Sequence, residues 1–542
     1  MQLLTGGRVG IIQNPDFEKR MLMAVRAIPK KASSGASKWL QIILRALLVL
    51  ASCAFLAAFV WIVVNRLTWP FENEWLEGDE FHHAWRIMQG LAWYPPPSVD
   101  FFPAFYTPGY PAVCAVLMKL FGESLTIMRS VSVVSTMTIL MLIGFIVYSH
   151  TRNLFYSLVS CGVFMAAFEA CGAWYDIARV DMLALAVALG AIALIGRRSR
   201  PAAFYSGAAL LGLSYFFKQT NAALIIGAIL VWLIWDWRRG LGMLAIIAVI
   251  TASGVLALKW TSDGWYMFYT FKVPASSPIL LERLWQFATS DILSLAGCLL
   301  PVLAVGFWRI IAKRQLDILP VLLFPFALAV SVVPRLSPGG YDNLFVTIAA
   351  FTSIATGLSL WAIASSKGTL SKYGWIALVL ILLHFVFRSY DPSHHFSRCR
   401  DRAKGMAVIE KIRSLPGPVL CPYHPYLLHL AGHPMHMNFH MTNELQIQER
   451  TRTEYENLMS GIENLFEQGH WKSYISTQVF QGQELFGGLS RYPQRKFIFS
   501  EGPQLLDPDD PTTLFPSTGN PVRPYRVYFD VHFKKQGPFT FE

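Results

Sequence analysis

The sequence predicts a mainly α-helical, polytopic membrane protein that carries a small C-terminal α/β domain. Three observations support that class. The 542 residues are 54% hydrophobic and only 15% charged, with a positive mean hydropathy, which is too apolar for a water-soluble globule of this length. Apolar runs long enough to cross a bilayer recur along the chain, and short basic turns separate them. Beyond about Arg388 the composition turns polar, and helix-like pieces alternate with strand-like ones.

The first 40 residues form a basic segment with Lys19, Arg20, Arg26, Lys30 and Lys31, which leads into an apolar run of spanning length with no convincing cleavage site. Spans are predicted at roughly 41–65, 125–148, 154–173, 181–196, 201–217, 220–235, 241–258, 290–311, 317–333, 343–365 and 373–388, about eleven in all. The turns Ser149–Asn153, Arg197–Arg200, Asp236–Arg239, Ala312–Gln315 and Ser366–Tyr373 are short and mostly basic. The preference of basic loops for the cytoplasm therefore places these turns and the N-terminus inside. An odd number of spans then exports everything after the last one. The expected organisation is a cytoplasmic segment 1–40, a membrane domain 41–390 and an extracytoplasmic α/β domain 391–542, in a bacterial cytoplasmic membrane. In the last of these, Ala403–Leu415 and Thr453–Gln468 read as helices, and Pro418–Cys421, Lys496–Ser500 and Tyr525–Phe529 as strands. The net charge of +12 sits in small clusters between spans, with no nucleic-acid motif, so it implies topology signals and lipid phosphates and excludes nucleic acid.

The first external loop, about 66–124, is the longest within the membrane region. Long loops there tend to carry function. Its aromatic and proline-rich stretches Trp93–Pro97 and Phe101–Pro111 suit a structure in the headgroup layer, and Pro111–Phe121 reads as an apolar helix too short to span. Further external loops are expected at about Lys259–Thr289 and Pro334–Asn343.

Three carboxylates, Glu77, Asp79 and Glu80, sit in the first loop at the membrane mouth. Beside hydrocarbon they lose hydration and repel one another, which raises the proton affinity of at least one and suits it to act as a general base. Asp79 also stands where an N-cap would, ahead of Phe81, Ala84, Trp85 and Met88 at helical spacing and Gly90 as a stop. Capping does not exclude catalysis. His82 and His83 flank the acids and could assist them or be ordinary loop histidines. Arg129 opens the second span, Arg179 and Asp181 open the fourth, and Lys218 lies in the turn between the fifth and sixth. All four fall on the external side, where a cation can hold a lipid-linked phosphate. The competing readings are snorkelling of Arg129 and Lys218, pairing of Asp176 with Arg179 at i,i+3, and capping of the fourth span by Asp181.

Of the seven cysteines only Cys399 and Cys421 lie in the exported tail; a bridge between them would suit an oxidising compartment, and free thiols are the preferred reading. His424, His429, His433, His436 and His440 fit no zinc spacing, so exposed loop histidines are preferred to a metal site, and a divalent metal stays open as a cofactor.

The stretch Asp79-Glu-Phe-His-His-Ala-Trp-Arg-Ile-Met-Gln-Gly90, followed by Tyr106-Thr-Pro-Gly-Tyr110, Leu120-Phe-Gly122 and Arg129, resembles the GT-C glycosyltransferases. Within that superfamily it is similar to the family 39 protein mannosyltransferases, the lipid A aminoarabinose transferases and the RgtA/B/C/D-like group. Trp174–Leu183, Phe217–Thr220 and Gly339–Asn343 extend the resemblance over roughly 40–390, and Gly417–Pro422 extends it more loosely into the tail. The resemblance implies transfer of a sugar from a polyprenyl-phosphate donor to an extracytoplasmic acceptor. In it, Asp79 matches the loop carboxylate implicated in acceptor activation, with Glu80 beside it, and Asp181 matches a second acidic position at the cavity. Arg129 and Lys218 match basic positions near the donor phosphate, and Glu77, His82, Arg179 and Asn343 complete the expected binding set. Where aminoarabinose transferases have a lysine in the middle of the loop, this chain has Thr107.

Physically, such a donor is already activated, because the lipid phosphate leaves as a stabilised anion; the protein supplies a base for the acceptor hydroxyl and cations for the phosphate. No nucleotide fingerprint is present or required. A lipid or small-solute transporter is the alternative from another class, but transporters usually gather binding residues at the bilayer midplane between repeated halves. This chain gathers them at one face. A non-catalytic envelope-glycan assembly protein is the third reading.

Overall fold

The computed structural model describes residues 35–197, 199–312, 318–366, 373–396, 399–446, 449–479, 484–485, 499–506, 513–514, 516–518 and 522–530. The expected cytoplasmic segment lies almost wholly outside the described residues, as does the Cys399 side chain on which a Cys399–Cys421 bridge depends.

Among the described residues, five helices are long and apolar enough to cross a membrane: Lys38–Arg66, Leu125–Thr151, Trp237–Thr261, Glu282–Ala312 and Asp342–Ala364. The remaining predicted spans are shorter apolar helices, Leu154–Ala166, Val180–Ile195, Pro201–Ser214, Gln219–Trp235, Phe324–Arg335 and Gly374–Phe387. Local chemistry sets their ends. Ser124 accepts the Thr126 N–H at 3.0 Å to start the second span, and Asn153 accepts that of Phe155 at 2.9 Å to start the third. Asp236 does the same for Arg239 at 3.2 Å, and Pro201 sits in the first turn of its helix, where a missing N–H costs nothing.

Helices in a membrane gain little from apolar burial against one another, so close approach through small residues decides their pairing. Gly162 faces Ser52 and Gly306 faces Ser359 so closely that a Cβ on either glycine would overlap the serine. An aromatic cluster adds to the packing, with Phe164 stacked on Tyr175 at 4.7 Å and Phe168 edge-on to the same ring at 5.5 Å.

The segment Lys259–Thr289, expected as a loop, is largely helical, with single π turns at Phe268–Lys272 and Phe287–Asp291. Helix Gly109–Phe121 is the short apolar helix expected in the first loop, and its Val116, Leu120 and Phe121 are exposed.

The C-terminal unit holds a five-stranded sheet of β1 (Val419–Leu420), β2 (Ser473–Val479), β3 (Glu484–Leu485), β4 (Phe499–Gln504) and β5 (Val522–Asp530), in the order β1-β2-β5-β4 with β3 on β2. β1 and β2 run parallel and the other pairs antiparallel. The central strand β2 was not among the expected strands: its buried positions include Ser473, Ser476 and Thr477, which erase the apolar alternation a reader looks for. Helices Cys399–Arg413 and Arg452–Glu467 fall where predicted, the latter burying Leu458, Met459, Ile462 and Phe466.

This unit rests on the first loop. Its helix Pro425–Ala431 lies against helix Glu77–Met88, where Tyr426 and His429 contact Phe81 at ring distances of 4.7 and 4.8 Å. The Met437 N–H donates to the Val99 carbonyl at 2.8 Å, and that of Thr518 to the Asn73 carbonyl at 3.1 Å.

Replacing Gly306 by Val forces apart its helix and that of Ser359, and overpacking of this kind costs about 1–3 kcal/mol. The thermal midpoint of the purified protein in detergent is expected to fall in Gly306→Val and to recover in part when Ser359→Gly is added; equal midpoints for the wild type and the single variant contradict the close contact.

Candidate active site

Helix Glu77–Met88 begins without a side-chain cap: Leu76 occupies the N-cap position, and Asp79 lies inside the first turn, its N–H donating to the Leu76 carbonyl at 3.1 Å. The expected capping role of Asp79 is therefore absent. Asp181 likewise does not cap the fourth span, whose N-cap is Arg179.

Glu77 is not a loop group facing ligand but a strut. Its Oε1 accepts from Arg129 Nε at 2.9 Å and the Ala178 N–H at 2.7 Å; its Oε2 accepts from Arg129 Nη2 at 2.5 Å and from the N–H groups of Asn73 and Glu74 at 2.6 and 3.4 Å. Burial pushes this carboxyl up, but the charge and N–H groups of Arg129 and the two backbone donors outweigh it and hold it below its usual range.

Arg129 in turn spends its remaining N–H groups on carbonyls, Nη1 on Arg66 and Trp69 at 3.3 and 2.6 Å and Nη2 on Phe71 at 2.6 Å. Both side chains are fully buried. The geometry departs from the expectation of a phosphate-binding Arg129: a guanidinium has five N–H donors, and here each has a protein acceptor.

Asp79 and Glu80 are buried, and each keeps one carboxylate oxygen, Oδ2 and Oε1, without a hydrogen-bond partner. Burial, with the neighbouring charges of Glu72, Glu80 and Glu74 set against that of Arg179, holds the Asp79 carboxyl well above its usual range. Burial also raises Glu80 to about 7, with Arg179 opposing and Asp181 adding to it. Glu74, which Arg179 approaches at 3.7 Å, is raised by burial to about 8.

Asp181 gathers the other half of the site. Its Oδ1 accepts from Lys218 Nζ at 2.6 Å and Asn343 Nδ2 at 3.0 Å, joining the fourth span, the turn after the fifth and the start of helix Val346–Ala364; its Oδ2 has no partner. Arg179 is buried with Nε and Nη1 unbonded, and its guanidinium lies over the rings of Trp174 and Tyr106 at 5.0 and 5.8 Å. The expected Asp176–Arg179 pair is not formed: Asp176 faces Arg66 at 3.3 Å and Arg179 faces Glu74.

His82 and His83 are buried against Phe101 at 4.9 and 5.5 Å, and burial lowers His82 well below its usual range and His83 to about 3. Thr107 is buried, its hydroxyl donating to the Tyr215 carbonyl at 3.1 Å. Nearby, Gln219 Oε1 and Thr220 Oγ1 are buried without partners.

Four participants were not anticipated from the sequence: Arg66, Glu72, Glu74 and His424. Five carboxylates between residues 72 and 80 are a signal that could have extended the set to Glu72 and Glu74. His424 and His436, expected as exposed loop histidines, are buried. Among the described residues no group of three or more His, Cys, Asp and Glu side chains is arranged to hold a metal ion.

A carboxyl raised by burial stabilises the fold while it keeps its proton. For Glu80 and Glu74 that contribution is complete below the unfolded value of about 4.5 and is lost as pH rises through about 7 and 8. The thermal midpoint is expected to fall between pH 6 and pH 9, and to fall less in Glu80→Gln and Glu74→Gln; a slope unchanged in both variants contradicts the assignment.

No protein-family model and no curated protein matches the chain. Among solved structures, it is similar to ArnT from Cupriavidus metallidurans bound to undecaprenyl phosphate, at 12% identity and a TM-score of 0.53, covering 92% of this chain and 98% of that one. The apo state of the same protein matches at 14% identity and a TM-score of 0.52, covering 91% and 98%. The likeness covers nearly the whole length of both chains, and it shows that this chain shares the fold of ArnT.

Proposed function

We propose that the protein is an integral membrane glycosyltransferase that moves a sugar from a polyprenyl-phosphate-linked donor to an acceptor hydroxyl outside a bacterial cytoplasmic membrane. The observation that carries this reading is that buried carboxylate oxygens of Asp79 and Glu80 and N–H groups of buried Arg179, whose charge acts on both acids, lack hydrogen-bond partners. A buried polar atom without a partner costs free energy, so such atoms at one place point to a ligand that completes them. The likeness to an ArnT bound to undecaprenyl phosphate supports a lipid phosphate as that ligand.

In this reading Asp79 is the base. Its raised proton affinity makes its ionised form a stronger acceptor than an ordinary carboxylate. The acceptor oxygen attacks the anomeric carbon as its proton passes to Asp79; the bond from that carbon to the phosphate oxygen breaks, and polyprenyl phosphate leaves as an anion. Arg179 faces the departing charge, and Lys218, held by Asp181 and Asn343, adds to the field. Glu77 and Arg129 belong to the scaffold, and His82 is a neutral packing group.

Asp79→Asn keeps the shape and removes the base. Transfer of labelled sugar from a polyprenyl-phosphate donor by the purified protein is expected to fall about 10²–10⁴-fold. The thermal midpoint should hold or rise, because the replacement removes a buried acid that lacks a full set of partners. Near-normal turnover in a stable variant removes Asp79 as the base and turns attention to Glu80 and Asp181.

A further inference from the structure

The carboxylate nearest in sequence to the first span, Glu72, is held from both sides. The Gly78 N–H donates to its Oε1 at 3.1 Å, and His424 Nδ1 lies 3.1 Å from its Oε2. Both side chains are almost fully buried, at 5% and 3% exposure, and His424 Nε2 has no partner. The fit leaves no slack. A Cβ on Gly78 would collide with the Glu72 carboxylate and crowd the Tyr426 side chain, so the turn between Glu77 and Asp79 is shaped around this contact.

His424 comes from the C-terminal unit, 352 positions away, and caps helix Pro425–Ala431, the helix that lies on Phe81. The groups facing Glu72 are Glu74, Glu77 and Asp79 from its own loop, Arg129 from the second span, and Cys421, His424 and Tyr426 from the C-terminal unit. Arg129 is saturated by Glu77 and three carbonyls, so among the described residues the contact with His424 is the one side-chain hydrogen bond of Glu72.

We propose that His424 is a positioning residue for the transfer reaction, its Nδ1–H donating to Glu72 and so fixing the negative charge that Asp79 faces. The proposal rests on the reading of Asp79 as base. Burial lowers His424 to about 3, so the imidazole is neutral at working pH and acts as a donor rather than as a cation. Burial and the charge of Glu77 already hold the Glu72 carboxyl well above its usual range, and with the N–H removed it keeps its proton over a wider pH range still. Asp79 then faces less negative charge, releases its proton at lower pH and becomes a weaker base.

The test uses the full-length protein and reads release of polyprenyl phosphate from the labelled lipid-linked sugar fraction of the source cells, with kcat and KM determined across pH. His424→Phe is expected to lower kcat at least tenfold with KM within twofold, and to move the acid limb of the profile down by half a pH unit or more. Glu72→Gln should do the same, and the double variant should add nothing further. His424→Asn places an amide N–H near the position of Nδ1 and should recover most of the loss together with the wild-type limb. An unmoved limb in His424→Phe, or an equal shift in His424→Asn, overturns the proposal whatever the fall in kcat. Failure of the underlying reading is separate: it shows as turnover retained in Asp79→Asn.

Discussion

The buried pair of Glu77 with Arg129 is the constraint from which the rest of the site follows. Its two side chains join the end of the first span, the loop 69–74, the start of helix Glu77–Met88, the second span and the Ala178 turn through eight hydrogen bonds of 2.5–3.4 Å. An ion pair taken out of water repays its desolvation only when every remaining donor and acceptor is satisfied, and this one meets that condition. Removing one partner from such a pair costs about 3–5 kcal/mol, whereas an exposed pair such as Lys272–Glu454 contributes about 0–1 kcal/mol. The first therefore dictates where the catalytic candidates stand, and the second does not.

Once that strut is in place, the surroundings are left with an excess of acid. Seven buried carboxylates, Glu72, Glu74, Glu77, Asp79, Glu80, Asp176 and Asp181, share four buried cations, Arg66, Arg129, Arg179 and Lys218. Glu77 takes Arg129 and Asp181 takes Lys218, so the acids around Asp79 are under-neutralised and retain protons above their usual range. Proton affinity at Asp79 thus follows first from its burial and then from how charge is shared among its neighbours.

Much of this was legible in the sequence because hydropathy and loop charge report directly on the membrane helices, and every predicted span contains helix. Of the residues singled out in the sequence, Asp79, Glu80, Arg179, Asp181, Lys218 and Asn343 meet at one end of the bundle. What the sequence could not convey was the division of labour. Glu77 and Asp79 are two positions apart and look alike as letters, yet one side chain meets Arg129 and the other does not. That difference depends on the loop 66–74 wrapping over the second span. His424 was hidden for a related reason: five histidines in a polar tail resemble a solvated loop until the tail folds back onto helix Glu77–Met88. Strand β2 escaped because its buried positions are partly Ser and Thr.

In the proposed reaction the unbonded N–H groups of Arg179, rather than the saturated guanidinium of Arg129, face a lipid phosphate. Equilibrium binding of radiolabelled undecaprenyl phosphate to the purified protein tests it most directly, with Arg179→Gln and Lys218→Gln compared against wild type in samples matched for thermal midpoint. The account predicts saturable binding that weakens about tenfold or more in Arg179→Gln, as expected for loss of a charge-assisted contact of about 1.5–3 kcal/mol, and less in Lys218→Gln, whose ammonium is already engaged by Asp181. Binding unchanged in a folded Arg179→Gln protein contradicts it.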